Sequence, residues 1–248
     1  MKLKLIVIAL LAVFAFPLLT SAQDDMMMAV TSEDVQVMSD GQAYESYLAY
    51  PEDEGVYPAI VLIHSFNGLQ QGYRDMTDAF AAEGFVVLAI GWQTFERGPS
   101  DTLVQQLMLD SIDYLTARDD VDPERLGLTG FCAGGRYTML FMPQVEAFDA
   151  GVAWYGFPNN GDPVTGMELV DELESPMLII HGTDDRPSPI SDIYNYALAL
   201  GEADADFELK VYANEPHGFM LVDGELRTDD IATDAFNEMV DYFNRKLG

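Results

Sequence analysis

Short runs of almost unbroken apolar residues punctuate the chain at 58–65, 85–90, 126–129, 151–155 and 177–181. Runs of this length without polar alternation are what strands buried on both faces require, as strands of a parallel sheet are. Between them the spacing changes to the helical period. Residues 73–83 carry apolar positions at such intervals and stop at Gly84, and 101–115 present Leu103, Leu107, Ile112 and Leu115 on one side, with Asp101 placed to cap them. The same reasoning predicts helices over 134–142, 189–203 and 228–247, and a further strand over 207–212. Ahead of all these, 35–50 reads as two antiparallel strands turning at Asp40-Gly41. The stretch 158–174 has little pattern and reads as loop.

Strands alternating with helices give an α/β chain: a mostly parallel central sheet with helices on both faces and an antiparallel pair at its N-terminal edge. In such sheets ligands gather beyond the carboxyl ends of the strands. That rule says where chemistry should be sought.

The first residues follow another logic. Lys2 and Lys4 precede an apolar run over 5–19, and Thr20-Ser21-Ala22 offers small residues for cleavage. This reads as a secretory signal peptide, 1–22, cut after Ala22, followed by a flexible lead-in over 23–33 and one domain over 34–248. The run contains Pro17 and falls short of the roughly 20 residues that span a bilayer, so no stable membrane insertion is expected after the signal is removed. No cysteine sits at the cleavage point to take a lipid. A secreted or periplasmic protein is the expectation.

Charge narrows the partners. Beyond Ala22 the chain holds 10 Lys and Arg against 42 Asp and Glu. A surface that acidic repels nucleic acid and anionic membranes but says nothing of a small-molecule partner, and the oligomeric state is open. The single cysteine, Cys132, excludes an intrachain disulfide.

Cys132 stands at the centre of Arg125-Leu-Gly-Leu-Thr-Gly-Phe-Cys-Ala-Gly-Gly-Arg136, an apolar strand, a turn and the start of a helix. Gly130 and Gly134 lie two residues to either side, the Gly-x-nucleophile-x-Gly spacing of a nucleophile elbow with cysteine where serine is usual. A sharp strand-to-helix turn strains its central residue, and its neighbours must lack side chains that would clash. A lone cysteine is otherwise most often a core filler.

A thiol nucleophile needs a base, and the base needs an orienting group. Among three histidines, His217 sits in the loop after the last strand and is followed by glycine, whereas His64 and His181 each close a buried strand. Asp184 and Asp185, in the loop after 177–181, are both candidates for the acid. The order nucleophile, acid, histidine is that of the α/β-hydrolase architecture.

With these residues in view, the chain resembles the dienelactone hydrolase family over most of 35–247. The resemblance rests on Gly130-Phe-Cys-Ala-Gly-Gly135, on Gly182-Thr-Asp-Asp-Arg-Pro-Ser-Pro189, on His217-Gly-Phe219, and on 59–65 with Gly68-Leu69 and 81–89. It implies the α/β-hydrolase fold and a Cys132–His217–Asp185 triad that cleaves an ester or lactone through an acyl-enzyme, without metal or organic cofactor. Glycine-x-x-aspartate spacing selects Asp185 over Asp184. The resemblance also implies an oxyanion hole from the backbone N–H groups of Ala133 and Phe66, with His64, Ser65 and Arg186 at the site's rim. The family's dienelactone-cleaving members have a glutamate where Ser65 stands, and the arginines with which they hold a substrate carboxylate have no clear counterpart among Arg97 and Arg186. Two other readings compete: an inactive α/β-hydrolase scaffold that serves as a binding protein, and a thiol-redox role, which the absence of a partner cysteine disfavours.

Overall fold

The computed structural model describes residues 28–248. The expected signal at 1–22, its cleavage point and residues 23–27 of the lead-in lie outside the described residues. The elements are β1 (Val30–Ser39), β2 (Gln42–Pro51), β3 (Tyr57–Ile63), α1 (Gln71–Ala81), β4 (Val86–Ile90), α2 (Asp101–Thr116), β5 (Val121–Phe131), α3 (Ala133–Phe141), β6 (Ala150–Trp154), β7 (Met177–Gly182), α4 (Ile190–Glu202), β8 (Phe207–Tyr212), β9 (Leu221–Val222), β10 (Glu225–Leu226) and α5 (Asp230–Leu247).

Eight strands form one sheet in the order β1-β2-β4-β3-β5-β6-β7-β8. β1 and β2 pair antiparallel about Asp40-Gly41, β2 meets β4 antiparallel, and the other pairings are parallel. This is the α/β-hydrolase fold with its antiparallel N-terminal strands. β1 begins at Val30, inside the stretch expected as lead-in.

Period-two alternation sends side chains to two separate cores. Val61 and Ile63 of β3 join Leu88, Leu128 and residues of α2, α3 and α4; Ile60 and Leu62 face the other way, onto Tyr73 and Phe80 of α1 and Phe243 of α5. With both faces covered, β4 and β6 are buried at every position, and the apolar runs in the sequence follow from that.

Three local features depart from the sequence reading. Ser100, not Asp101, caps α2, its hydroxyl accepting from the Leu103 N–H at 3.3 Å. Asp101 instead pairs with the Arg136 guanidinium and accepts from the Asp162 N–H at 3.0 Å, tying α2 to α3 and to the loop beyond β6. Within 158–174, a 3₁₀ helix over Gly166–Glu172 is closed by a capping box between Thr165 and Glu168. The third is the hairpin β9–β10, which turns at Asp223-Gly224 with φ of 52° and 88°.

Candidate active site

β5 ends at Phe131 and α3 begins at Ala133, so the chain reverses from strand to helix through Cys132 alone. Cys132 sits at φ 59°, ψ −109°, a conformation that costs a non-glycine residue on the order of 1–3 kcal/mol. It is held there by its N–H, which donates to the Trp154 carbonyl at 3.0 Å, and by its carbonyl, which accepts the Arg136 N–H at 2.9 Å. The flanking glycines permit the close approach behind it. A β-carbon on Gly130 would overlap the Gly134 carbonyl, and one on Gly134 would overlap the Ile63 carbonyl. The thiol is consequently turned out of the core and half-buried.

β7 ends at Gly182, level with Tyr212 at the end of β8, and the loops after the two strands meet. Asp185 is buried while Asp184 is exposed, because adjacent residues in this turn face opposite ways. The His217 Nδ1–H donates to Asp185 Oδ2 at 2.8 Å, and Asp185 Oδ1 accepts the Ser188 N–H at 2.8 Å. The imidazole and the Cys132 side chain line one cavity, close enough for the sulfur to act on the ring's charge. Burial works against a charged ring here, but the bond to Asp185 and the nearby Cys132 sulfur outweigh it and raise the His217 pKa to about 9.

The other two histidines behave differently. His64 is buried against the Trp92 ring (centroids 5.3 Å apart), and desolvation pushes its pKa down to about 4. Its Nδ1 lies 2.7 Å from the Ser65 carbonyl. His181 is fully buried behind Asp185, its Nε2 2.9 Å from the Ser188 carbonyl and 3.4 Å from Asp185 Oδ2, and burial lowers its pKa as well. Both close strands as expected, and neither lines the cavity in front of the thiol.

That cavity, about 290 Å³, is bounded by Cys132, His217, Ser65, Tyr73, Tyr155 and the β9–β10 turn, with Asn67 and Gln70 at its edge. Ala133 is the first residue of α3, where an N–H has no acceptor within the helix. The Phe66 backbone lies between two residues of the cavity wall, while its side chain is exposed and carries Arg97 stacked at 4.9 Å. Arg186 is exposed in a neighbouring depression with Asp184, which reaches the site only through His217. A larger depression, about 580 Å³, lies at the far end of α3 beside Met142 and Glu172, lined by carboxylates and Ser175 with no histidine among them.

Sequence reasoning missed Tyr73 and Tyr155. Both line the cavity, and burial raises the pKa of both phenols. Tyr155, at φ 35°, packs edge-on against His217 with centroids 5.2 Å apart. The rule about strand ends could have found Tyr155, which follows β6 directly; Tyr73 occupies an apolar position of α1 and reads as core. Among the described residues, no group of three or more His, Cys, Asp or Glu side chains is arranged to hold a metal ion.

Comparison with known proteins converges on the same assignment. The model of the dienelactone hydrolase family matches residues 44–91 and 92–247. The chain is 27% identical over 242 residues to an Escherichia coli protein described as a "putative carboxymethylenebutenolidase", covering 89% of each, and 26% identical over 236 residues to its namesake in Salmonella typhimurium, covering 87% of each. Among solved structures, a "putative dienelactone hydrolase" from Klebsiella pneumoniae superposes with a TM-score of 0.80 at 24% identity, over 88% of this chain and 99% of that one. A dienelactone hydrolase-like promiscuous phosphotriesterase from metagenomic libraries gives 0.74 at 19% identity, over 89% and 100%. The family match runs through the elbow, the Asp185 loop and His217, and the chain belongs to the dienelactone hydrolase family, hydrolases that typically act on esters and lactones.

Proposed function

We propose that this chain hydrolyses carboxylic esters or lactones through a Cys132–His217–Asp185 triad. One observation carries the reading: an imidazole bound to a fully buried carboxylate lines the same cavity as the thiol at the tip of a strained elbow. Asp185 fixes the ring with Nδ1 protonated and makes it basic, which favours transfer of the thiol proton to Nε2. The sulfur then adds to the substrate carbonyl carbon. Negative charge gathers on the carbonyl oxygen, which the Ala133 and Phe66 N–H groups would receive. Collapse expels the alcohol, which takes the proton from Nε2. A water gives a proton back to His217, attacks the thioester and releases the acid, and the sulfur recovers its proton. Ser65 offers the thiol a hydroxyl rather than a carboxylate, so activation falls to His217. Export through an N-terminal signal belongs to the same proposal.

The test is turnover of short p-nitrophenyl esters and of lactones by the wild type, Cys132→Ala and His217→Ala, with intact mass recorded during turnover. The reading expects both variants to lose activity by at least about 10³-fold, and an acyl adduct to appear on the wild type only. Equal turnover by Cys132→Ala would remove the thiol mechanism. A folded wild type inert on the whole panel would favour the binding-scaffold reading.

A further inference from the structure

The cavity that faces Cys132 has a charge character of its own. Ser65, Asn67, Gln70, Tyr73 and Tyr155 line it, and the one formally charged side chain besides the candidate triad is a carboxylate, Asp223. The hairpin that carries Asp223 is fixed in place. Asp223 and Gly224 both take positive φ, as a tight hairpin turn demands, and the Gly224 carbonyl accepts the Gly72 N–H of α1 at 2.8 Å.

Cations are scarce nearby. Among the described residues, Arg97 and Arg186 are the two Lys or Arg side chains outside any ion pair; the others are held by carboxylates, Arg227 beside the hairpin being taken up by Glu215 and Asp229. Each of the two occupies a depression adjoining the cavity, and each shares it with an acid. Arg97 lies with Glu96, and Arg186 with Asp184. The flanks are thereby neutral, the centre is negative, and a strongly acidic surface surrounds them all.

We propose that this cavity selects uncharged or cationic esters over substrates bearing a carboxylate, and that Asp223 is the residue that sets the preference. An anionic group next to the scissile bond would meet the Asp223 carboxylate across the cavity, and the one cation in the wall, the His217 imidazolium, is already paired with Asp185. At a separation of about 8 Å and an effective dielectric of 40–80, the repulsion is worth about two- to sixfold in encounter or binding. An amine or hydroxyl on the substrate would find a partner in the same carboxylate. This specificity rests on the hydrolase reading, but the electrostatic gate can be measured without hydrolysis.

Cys132 is the only cysteine, so alkylation reports on this cavity alone. Its rate with neutral iodoacetamide and with anionic iodoacetate, in each of which sulfur displaces iodide, should be compared for wild type and Asp223→Asn. Asparagine tolerates the positive φ, so the hairpin survives the change. The His217 imidazolium attracts iodoacetate equally in both proteins and cancels in the comparison. The expected result is an iodoacetate-to-iodoacetamide ratio about threefold higher in the variant at low salt, with the difference gone at 1 M salt. Alongside it, wild type should cleave a p-nitrophenyl butyrate faster than the matched hemisuccinate. An unchanged alkylation ratio, or preference for the hemisuccinate, would overturn the proposal. Failure to cleave any ester would instead overturn the hydrolase reading, and the alkylation ratio would still decide whether Asp223 gates the thiol.

Discussion

Replacing Asp185 by Asn removes one charge and nothing else of size, and three histidines in very different surroundings make the consequence readable. The amide oxygen can still accept the Ser188 N–H, now bound at 2.8 Å. What is lost is the charged partner of His217, which lies 2.8 Å away from a carboxylate with 0% side-chain exposure. The interval between the ordinary 6.5 and about 9 corresponds to about 3 kcal/mol. Because the His217 side chain is 17% exposed, solvent screening trims this to about 2 kcal/mol, shared between Asp185 and Cys132. The variant should therefore bring the His217 titration down from about 9 by at least tenfold in acidity, toward 6.5. A histidine whose pKa is raised by folding contributes stability that is complete below its unfolded value of 6.5 and is lost as pH rises through about 9. Wild type should thus lose about 2 kcal/mol from this group between pH 6 and pH 10, and Asp185→Asn about half of that. Proton NMR of the imidazole Hε1 signals suits the measurement, since His64 and His181 are both pushed down and only His217 should titrate on the alkaline side. Urea unfolding at the two pH values supplies the energies. A His217 titration unmoved by the substitution would refute the account of the site's electrostatics.

Two further expectations come from the backbone and the surface. At ordinary positions Gly is about 1 kcal/mol less stable than Ala, but Cys132 sits at φ 59°, so Cys132→Gly should equal or exceed Cys132→Ala in urea unfolding; a Gly variant weaker by about 1 kcal/mol would mean the elbow is not strained. The few basic residues leave most carboxylates without a cation (net charge −30), so raising NaCl from 0.05 to 1 M should raise the melting temperature, because screening relieves self-repulsion more than it weakens surface ion pairs; an unchanged or falling value would contradict this.

Much of the architecture was legible because burial on both faces leaves a signature that needs no tertiary knowledge. The all-apolar stretches of β4 and β6 could hardly be anything else, and the glycines around Cys132 announced the elbow. What escaped were choices between neighbours. Ser100 and Asp101 satisfy the capping rule equally, and the decision lay with Arg136, 35 residues along, which claims the Asp101 carboxylate. Asp184 and Asp185 are chemically the same and adjacent, so only the spacing within the family resemblance selected Asp185, and the course of the turn is what buries it and exposes its neighbour. β9 and β10 are two residues each, too short to show any period, so Asp223-Gly224 was their sole trace. The capping box of Thr165 and Glu168 was present in the letters of 158–174, but it heads a single 3₁₀ helix with too few apolar positions to register as one. Tyr73 and Tyr155 read as core because they are core; a buried aromatic can still form part of a cavity wall.

These features also bear on the rivalry between a hydrolase and an inert binding scaffold. Cys132 is held at a positive φ that glycine would relieve, and Tyr155 at another, 35°. His181 Nδ1 is buried with no hydrogen-bond partner, directly behind the carboxylate that orients His217. Asp185 is enclosed with 0% side-chain exposure, where a carboxylate is tolerated only with partners arranged around it. The two positive φ values and the unpartnered imidazole nitrogen work against stability, and the buried carboxylate would do so without His217. They lie together at the carboxyl ends of β5, β6 and β7, His181 being the next-to-last residue of β7. A surface kept only for binding needs shape and polarity there, which relaxed residues supply as well as strained ones. A thiol that must meet a carbonyl at a fixed angle, with a base already oriented behind it, does need them, and the concentration of strain at this one place favours chemistry over adhesion.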